Sequence, residues 1–313
     1  MGMKDKVLIT GGSGGIGSNL VTEILDRELW DVHIVDDMSN GHAEFLDGYK
    51  DRLYSYKMDF SDEIVLYEIR KGTYKYVFHL AAVPRVAYSC EHPAETTDIN
   101  INRTVKLMEA CKGNIDRFIF SSSSSVYGGS DILPTPETAP KNPASPYALQ
   151  KSVIEDYCKL FGNLYDFDSV CLRYFNVMGS NFYGNSVYST AIAAWCQAIK
   201  DGKPLRFDSD GTQSRDLCSV HNVVDANILA AQSKARWGGE CFNVACGEKF
   251  TNNEILERFK EKFGELEIVN APKRIGDVDH TLASISKSKA MLGYEPRYRF
   301  DEALELTWKW WGF

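Results

Sequence analysis

A tyrosine and a lysine, with a serine upstream of them, are the residues of this sequence whose types and spacing could move a proton. Tyr147 and Lys151 follow Ser145-Pro146, which is typical of a helix N-cap and of a proline at the first helical position. The spacing of four residues places both side chains on one helix face, about a turn apart. Ser123 lies in a run of serines just after residues 118–120, an apolar stretch that predicts the end of a buried strand. A hydroxyl facing such a pair could move a proton and a hydride together, and the serine run makes the otherwise weak Tyr-x-x-x-Lys pattern more specific.

A glycine-rich turn near the N-terminus predicts a dinucleotide site. Lys6–Thr10 predicts a strand, Gly11–Gly17 opens a helix, and Val32–Val35 predicts a second strand that ends at Asp36. Glycines let the backbone approach a pyrophosphate, and the helix N-terminus offers it free N–H groups. A carboxylate at the end of the second strand can hold a ribose diol. With both strands and the acid in place, we favour dinucleotide binding over an ordinary flexible turn.

Three further polar residues each allow two interpretations. Asp37 beside Asp36 would repel a 2′-phosphate and so favours NAD over NADP, but it could equally be a solvated loop charge. Asn100, on a predicted helix, is either a polar core residue or a cofactor contact. We interpret His79, within a predicted strand, as a packed side chain rather than a ligand or base.

Strands and helices alternate along the first part of the chain. This alternation predicts an α/β fold with a doubly wound, Rossmann-like parallel sheet. Ligands bind at the carboxyl ends of such strands. The residues that fall at these ends are Gly11, Asp36, Asp59, Ala81 and Ser123. Further strands are predicted at 53–58, 76–82, 117–121 and 170–174, and helices at 62–71, 96–112 and 147–161.

The pattern loosens after Asn176, which predicts a second, smaller α/β domain that binds substrate. Residues 221–233 look like a helix that returns to the first domain. We therefore predict one domain from 1–176 plus about 217–244, and another from about 177–216 plus 245–313. In the second domain, the helix predicted at 301–311 would place its three tryptophans in a core.

Composition and charge argue against several classes of function. The net charge is −8 without a basic tract, which argues against nucleic acid as the main partner. No apolar run approaches the roughly 20 residues of a membrane span, and a strand begins at once, so we expect neither a membrane segment nor a signal peptide. The 8 cysteines are scattered without a C-x-x-C pair, so we expect reduced thiols in the cytoplasm rather than disulfides or a metal site.

Several motifs together resemble one family over nearly the whole chain. They resemble the extended short-chain dehydrogenase/reductases, specifically the nucleotide-sugar 4-epimerases. The motifs are TGGSGGIG at 10–17, Asp36, MDF at 58–60, HLAA at 79–82, SSSSSVYG at 121–128, YALQK at 147–151, RYFNV at 173–177, SRD at 214–216 and RIGDVDHT at 274–281.

The resemblance implies a mechanism in which NAD acts as a bound catalyst. Tyr147, as phenolate, takes the proton of the sugar 4-hydroxyl, Ser123 relays or shares it, and Lys151 favours the ionised tyrosine. The carbon 4 hydride goes to NAD⁺, the 4-keto sugar turns over in the site, and the hydride returns to its other face. The unperturbed pKa of a tyrosine is near 10, so Tyr147 needs this help at neutral pH.

The resemblance also implies two sets of binding residues. Cofactor contacts are implied at Gly11, Gly14, Gly15, Ile16, Gly17, Asp36, Asp37, Ser39, Asn40, Gly41, Asp59, Phe60, Leu80, Ala81, Ala82, Asn100, Ser121, Tyr147, Lys151 and Tyr174. Substrate contacts are implied at Ser123, Ser124, Asn176, Tyr188, Arg215, Arg274, Asp277 and Thr281. A homodimer through the helices at 96–112 and 147–161 is expected from the same resemblance.

Three positions bear on the choice of reaction and of sugar. Related dehydratases and decarboxylases carry an acid where this chain has Ser124 and Ser125, so the resemblance favours an epimerase over a lyase. Thr281 matches the position that gates the N-acetyl pocket, where a tyrosine would crowd an acetamido group. We therefore expect UDP-N-acetylglucosamine as substrate, with a UDP-glucose 4-epimerase, a 4,6-dehydratase and a non-catalytic NAD-sensing protein as alternatives.

Overall fold

The helices and strands of the chain alternate as predicted. The computed structural model describes residues 4–184, 190–272 and 278–313. The strands of this part are β1 (Lys6–Thr10), β2 (Asp31–Asp36), β3 (Leu53–Lys57), β4 (Tyr76–His79), β5 (Arg117–Ser123), β6 (Ser169–Tyr174), β7 (Val177–Met178), β8 (Leu205–Asp208), β9 (Ser214–Arg215), β10 (Cys218–Ser219), β11 (Glu240–Val244), β12 (Phe250–Thr251) and β13 (Ile268–Ala271). The α-helices are α1 (Gly15–Asp26), α2 (Glu63–Arg70), α3 (Val86–Glu91), α4 (Pro93–Thr97), α5 (Thr104–Cys111), α6 (Pro146–Tyr165), α7 (Ala191–Lys200), α8 (Val220–Gln232), α9 (Asn252–Phe263) and α10 (Phe300–Trp311). Shorter 3₁₀ segments lie at Ala43–Arg52 and Ser124–Tyr127, and π-helical ones at Asp98–Arg103 and Ser288–Leu292.

The large sheet is parallel and doubly wound, so the predicted fold class is confirmed. Its order is β11-β6-β5-β4-β1-β2-β3. The chain runs outward from β1 to β3 and then returns to β4 on the other side of β1. The strand order therefore reverses between β1 and β4, and in open α/β sheets the ligand crevice lies outside the carboxyl ends of the strands at this point.

Both faces of the sheet are covered by apolar cores, which is why most residues in its central strands are apolar, with polar residues mainly at the strand ends. In β1, Val7 and Ile9 belong to the core that includes residues of α1 and α8, whereas Leu8 belongs to the core that includes residues of α2, α5 and α6. This alternation follows from the two-residue period of a strand. The buried strands form a rigid platform whose carboxyl ends carry the site.

A separate core lies among α7, β8, α9 and α10. It buries Trp308 and Trp311, but Trp310 is only half-buried, so the prediction that all three tryptophans are core is right for two. The helix predicted at 221–233 is α8, and its buried residues share a core with Val7 and Ile9 of β1. The chain then adds β11 to the large sheet beside β6. The domain boundaries themselves stay a prediction.

Several predicted elements differ in their extent: α6 continues to Tyr165 and β5 to Ser123, beyond the predicted ends at 161 and 121. The strand predicted over 76–82 ends at His79, because β1 ends at Thr10 and the chain then turns: Ala81 N donates to the Thr10 side chain at 3.1 Å. The helix predicted over 96–112 is interrupted by the π-helical segment Asp98–Arg103. Among the described helices, none has the length and apolar character needed to cross a bilayer.

Candidate active site

The N-terminus of α6 carries the predicted tyrosine and lysine, and the sequence sets its start. The Ser145 side chain caps the helix by accepting from Ala148 N at 3.2 Å, and Pro146 occupies the first turn. Tyr147 N donates to Ser89 Oγ at 3.1 Å, which ties this helix end to α3. The helix start is therefore held from two sides, and the predicted N-cap is confirmed.

Lys151 is buried against the end of β5. Its Nζ donates to the backbone oxygen of Ser121 at 2.7 Å and lies 4.7 Å from the Phe120 ring centroid and 5.9 Å from that of Tyr147. Burial lowers the pKa of Lys151 to about 7, and the nearby Glu155 partly opposes this shift. The hydrogen bond to Ser121 O thus holds the ammonium near the Tyr147 ring without a direct ion pair between Lys151 and Tyr147.

Tyr147 and Ser123 form the expected hydroxyl pair. Burial raises the pKa of Tyr147 to about 12, and the hydrogen bond with Ser123 lowers it in part. Ser123 ends β5, and its Oγ also accepts from Ser125 N at 3.2 Å. Because burial opposes ionisation of the phenol, a phenolate here requires positive charge close by, as Lys151 and an oxidised nicotinamide would supply.

Replacing Lys151 by methionine should change how stability depends on pH. In an unfolded chain the lysine pKa is about 10.4, so between pH 7 and 10 the unfolded state binds more protons than the folded state. The free energy of unfolding of the wild type therefore rises with pH through this range, by an amount on the order of a few kcal/mol. Below pH 7 the folded state carries the full cost of burying the charged ammonium. Lys151→Met should lack this gain.

Denaturant unfolding of NAD-free proteins between pH 7 and 9.5 would measure this difference. Lys159→Met is the matched control, since Lys159 is exposed on the same helix. If wild type and Lys151→Met show the same pH slope, Lys151 is not the buried titrating group.

The turn between β1 and α1 is rich in glycines, so a ligand can approach its backbone closely. Gly11 has a φ of +70°, and a Cβ at Gly17 would lie 2.1 Å from Gly11 O. Asp36 stands beside the turn and accepts from Ser13 N and from Met38 N, each at 2.9 Å. Burial raises the pKa of Asp36, whereas these two N–H groups lower it. A bare backbone cradle with an acid at its edge fits a dinucleotide, with Asp36 placed to accept ribose hydroxyls.

Most other predicted cofactor residues lie along the same edge of the sheet, where their contacts with NAD stay a prediction. They are Gly14, Gly15 and Ile16 after β1; Asp37, Ser39, Asn40 and Gly41 after β2; Asp59 and Phe60 after β3; Leu80, Ala81 and Ala82 after β4; and Ser121 and Tyr174 near the ends of β5 and β6.

Several of these side chains already have protein partners. Asn100 Oδ1 accepts from Val83 N at 2.9 Å, and Asn100 Nδ2 donates to Val83 O at 3.2 Å and to Gln150 Oε1 at 2.8 Å. These are the contacts of a polar core residue. Asp37 is exposed and accepts from Ser39 N, which matches the alternative of a loop charge.

His79 is buried between two threonine hydroxyls, Thr10 at 2.7 Å and Thr104 at 2.9 Å. Burial lowers its pKa to about 3, so it stays neutral. The interpretation of His79 as a packed side chain is confirmed.

On the substrate side, the structure brings two predicted ligands into contact. Asn176 Nδ2 donates to Thr281 Oγ1 at 3.0 Å. Arg215 lies at the end of β9, and its Nη1 donates to the backbone oxygens of Ser214 and Asp279, each at 3.0 Å. Ser124 follows β5 and is half-buried. The remaining predicted ligands, Tyr188, Arg274 and Asp277, lie outside the described residues.

Sequence reasoning assigned no role to two buried groups near the site. Arg173 and Glu155 form a bidentate pair at 2.7 and 2.8 Å, and Ser122 donates to the same carboxylate at 2.6 Å. Asp216, fully buried, accepts three backbone N–H groups. For Arg173 the signal was an isolated charge in the apolar stretch VCLRYF, whereas Asp216 follows Arg215 in a polar turn and carried no such signal.

Known proteins are similar to this chain in fold and in sequence over almost their whole length. The NAD dependent epimerase/dehydratase family matches residues 7–245. A putative UDP-glucose 4-epimerase from Methanocaldococcus jannaschii is 32% identical over 315 residues, covering 97% of this chain and 97% of that protein. Among solved structures, a UDP-N-acetylglucosamine 4-epimerase from Methanobrevibacter ruminantium in complex with UDP-N-acetylmuramic acid is 37% identical, with a TM-score of 0.91 over 99% of this chain and 98% of its own. A UDP-glucose 4-epimerase from Thermotoga maritima with UDP-glucose is 33% identical, with a TM-score of 0.91 over 98% of each chain.

The chain therefore belongs to the NAD-dependent epimerase/dehydratase family, within the extended short-chain dehydrogenase/reductases, and the resemblance found in its motifs is confirmed. It is an enzyme with NAD as cofactor, and among that family it is a nucleotide-sugar 4-epimerase.

Proposed function

We propose that the enzyme inverts carbon 4 of UDP-N-acetylglucosamine to give UDP-N-acetylgalactosamine, through a transient 4-keto sugar. The observation that carries the proposal is the burial of Tyr147 and Lys151 with Ser123 at the end of β5, on the same sheet edge as the glycine cradle. Such a site can take a proton from a hydroxyl while a hydride leaves the adjoining carbon.

In the proposed mechanism the chain's own residues handle the proton. Tyr147 Oη accepts the proton of the sugar 4-hydroxyl, and Ser123 Oγ shares it through the hydrogen bond between the two hydroxyls. The Lys151 ammonium, held by Ser121 O, stabilises the phenolate without leaving its place. NAD, when bound, supplies the acceptor and then the donor of the hydride. Tyr147 returns the proton at the end, so the net reaction needs no second acid.

Residues after β5 support epimerisation over loss of water. A dehydratase needs an acid to protonate the leaving hydroxyl at carbon 6, and the two positions concerned here are Ser124 and Ser125. A serine hydroxyl is a far weaker acid than a carboxylic acid. The 4,6-dehydratase alternative therefore lacks its general acid at this place, and a 4-keto product accumulating in the reaction would favour it again.

The choice of sugar rests on Thr281, which is half-buried beside Asn176. A 4-keto sugar must rotate within the site, so the pocket must clear the group on carbon 2 in both orientations. A small threonine leaves room for an acetamido group. UDP-glucose is the second candidate substrate, favoured by the names of several relatives.

Substitution of Thr281 by tyrosine tests the choice of sugar. We expect wild type to interconvert the two acetylated sugars and to use UDP-glucose with lower kcat/KM, by a factor corresponding to roughly 1–3 kcal/mol. Thr281→Tyr should suppress turnover of the acetylated sugar by steric overlap and spare UDP-glucose. The measurement is kcat/KM for both substrates, with products identified by NMR.

A matched control is needed because tyrosine also removes a hydroxyl that Asn176 and Asp216 N bond to. Thr281→Val removes that hydroxyl without adding bulk, so it should lower both activities alike and leave their ratio unchanged. If Thr281→Tyr handles the acetylated sugar as wild type does, Thr281 is not the gate. If wild type turns over UDP-glucose alone, the second candidate replaces the first.

Dimerisation and location complete the proposal. A homodimer through α6 and the helices preceding β5 is supported by the exposed leucines of α6, since Leu149, Leu160 and Leu164 are 52%, 48% and 60% exposed. Such side chains on one helix are typical of a surface that another chain covers.

We also propose a cytoplasmic location, supported by the scattered free thiols.

A further inference from the structure

A buried carboxylate outside the predicted catalytic and binding sets joins three segments of the chain beside the substrate residues. Asp216 is 0% exposed. Its Oδ1 accepts from Cys246 N at 3.0 Å, and its Oδ2 accepts from Gly247 N at 3.1 Å and from Ala283 N at 3.0 Å. The carboxylate therefore fixes the chain after β11 and the chain around Thr281 relative to the end of β9.

The main chain of Asp216 extends this network to the predicted ligands. Its carbonyl accepts from Asn176 Nδ2 at 3.1 Å, and its N–H donates to Thr281 Oγ1 at 3.1 Å. The same threonine hydroxyl accepts from Asn176 Nδ2 at 3.0 Å. Asn176, Asp216 and Thr281 thus form one closed set of hydrogen bonds.

Arg215 is fixed by the same segments. Its guanidinium bonds to Asp279 O, and its neighbour Ser214 accepts from Thr281 N at 3.0 Å. Burial raises the pKa of Asp216 to about 7, and the three N–H groups lower it. The N–H groups favour the carboxylate form of Asp216, and its two oxygens hold the segments of Cys246, Gly247 and Ala283 in place.

We propose that Asp216 is a positioning residue for the nucleotide-sugar site, which holds Asn176, Arg215 and Thr281 in register without contacting the substrate. The inference rests on the proposed function, because these three residues are the predicted ligands and gate of a UDP-sugar. It follows that loss of the carboxylate weakens nucleotide binding more than it weakens the chemistry at Tyr147.

Asp216→Asn tests the inference with little change in volume. In either orientation of the amide, an NH₂ group faces at least one backbone N–H donor, so one or more of the three bonds is lost. We expect the Kd for UDP, measured by calorimetry, and the KM for the UDP-sugar to rise about ten-fold or more. The kcat and the amount of NAD that copurifies should stay within about two-fold of wild type, as Tyr147 and the glycine cradle make none of these bonds.

Asp168→Asn is the matched control. Asp168 is also a buried carboxylate that accepts backbone N–H groups, from Trp237 at 2.7 Å and Gly238 at 3.2 Å, but it precedes β6 at the opposite end of the sheet. Its replacement should lower thermal stability and leave the Kd for UDP unchanged. Thr281→Val, which removes one bond of the same network, should raise the Kd for UDP by a smaller factor even if Asp216→Asn fails to fold.

The outcomes separate the possible failures. A rise in Kd for Asp216→Asn and Thr281→Val, but not for Asp168→Asn, supports the inference. It is overturned if Asp216→Asn binds UDP as wild type does, if Asp168→Asn weakens UDP binding equally, or if NAD is lost in proportion. Wild type that binds no UDP would overturn the proposed function and this inference together.

Discussion

Tyr147→Phe should lose most of the activity while keeping the fold and the bound NAD. The substitution removes only the hydroxyl that bonds to Ser123, and the ring stays packed at the start of α6. General acid–base catalysis by one positioned group is typically worth about 10²–10⁴-fold, so kcat should fall by about that factor. KM should change little, because the phenol takes part in proton transfer rather than in binding the nucleotide.

Single-turnover and steady-state rates on the UDP-sugar would measure the loss. Tyr157→Phe provides the control, since Tyr157 is a half-buried tyrosine further along the same helix. Copurified NAD and the thermal midpoint should be equal in the two variants. Activity of Tyr147→Phe close to that of Tyr157→Phe would show that another group takes the proton.

Gly17→Ala should abolish NAD binding. A Cβ at Gly17 would lie 2.1 Å from Gly11 O and 2.9 Å from both Gly11 C and Gly12 Cα. All three atoms are backbone atoms of the glycine-rich turn, so no side chain can move aside to make room. The turn must open, and the N–H groups that we predict to bind the pyrophosphate would then diverge.

The amount of NAD released on heat denaturation, per mole of purified protein, would measure this effect. Gly48→Ala is the matched control, because a Cβ there meets no atom within 4 Å. Gly14→Ala should lie between the two, with its Cβ 3.3 Å from Gly11 O. A Gly17→Ala protein that retains stoichiometric NAD would show that the cofactor does not depend on this turn.

Local sequence patterns determined much of the site. The glycine turn, the N-cap at Ser145 and the four-residue step from Tyr147 to Lys151 are each fixed within a few residues, so spacing alone predicts their geometry. The alternation of strands and helices also determined the parallel sheet, since parallel neighbours require a crossover. The carboxyl edge as the place of the site followed from that topology.

Only the tertiary structure decided how buried each group is and what it meets. Whether Lys151 bonds to Ser121 O, and how far burial moves its pKa, depends on packing from α6 and β5 together. The burial of two of the three C-terminal tryptophans depends likewise on the neighbours of α10, which helical periodicity does not specify.

The hydrogen bonds around Asp216 show most clearly why such contacts cannot be predicted from local sequence patterns. Asn176, Asp216, Cys246 and Thr281 are separated by long stretches of chain, and no local period relates them. Their hydrogen bonds form only when β9, β11 and the segment around Thr281 meet at one place. A sequence pattern reports residues that share an element, whereas contacts between elements are set by how those elements pack.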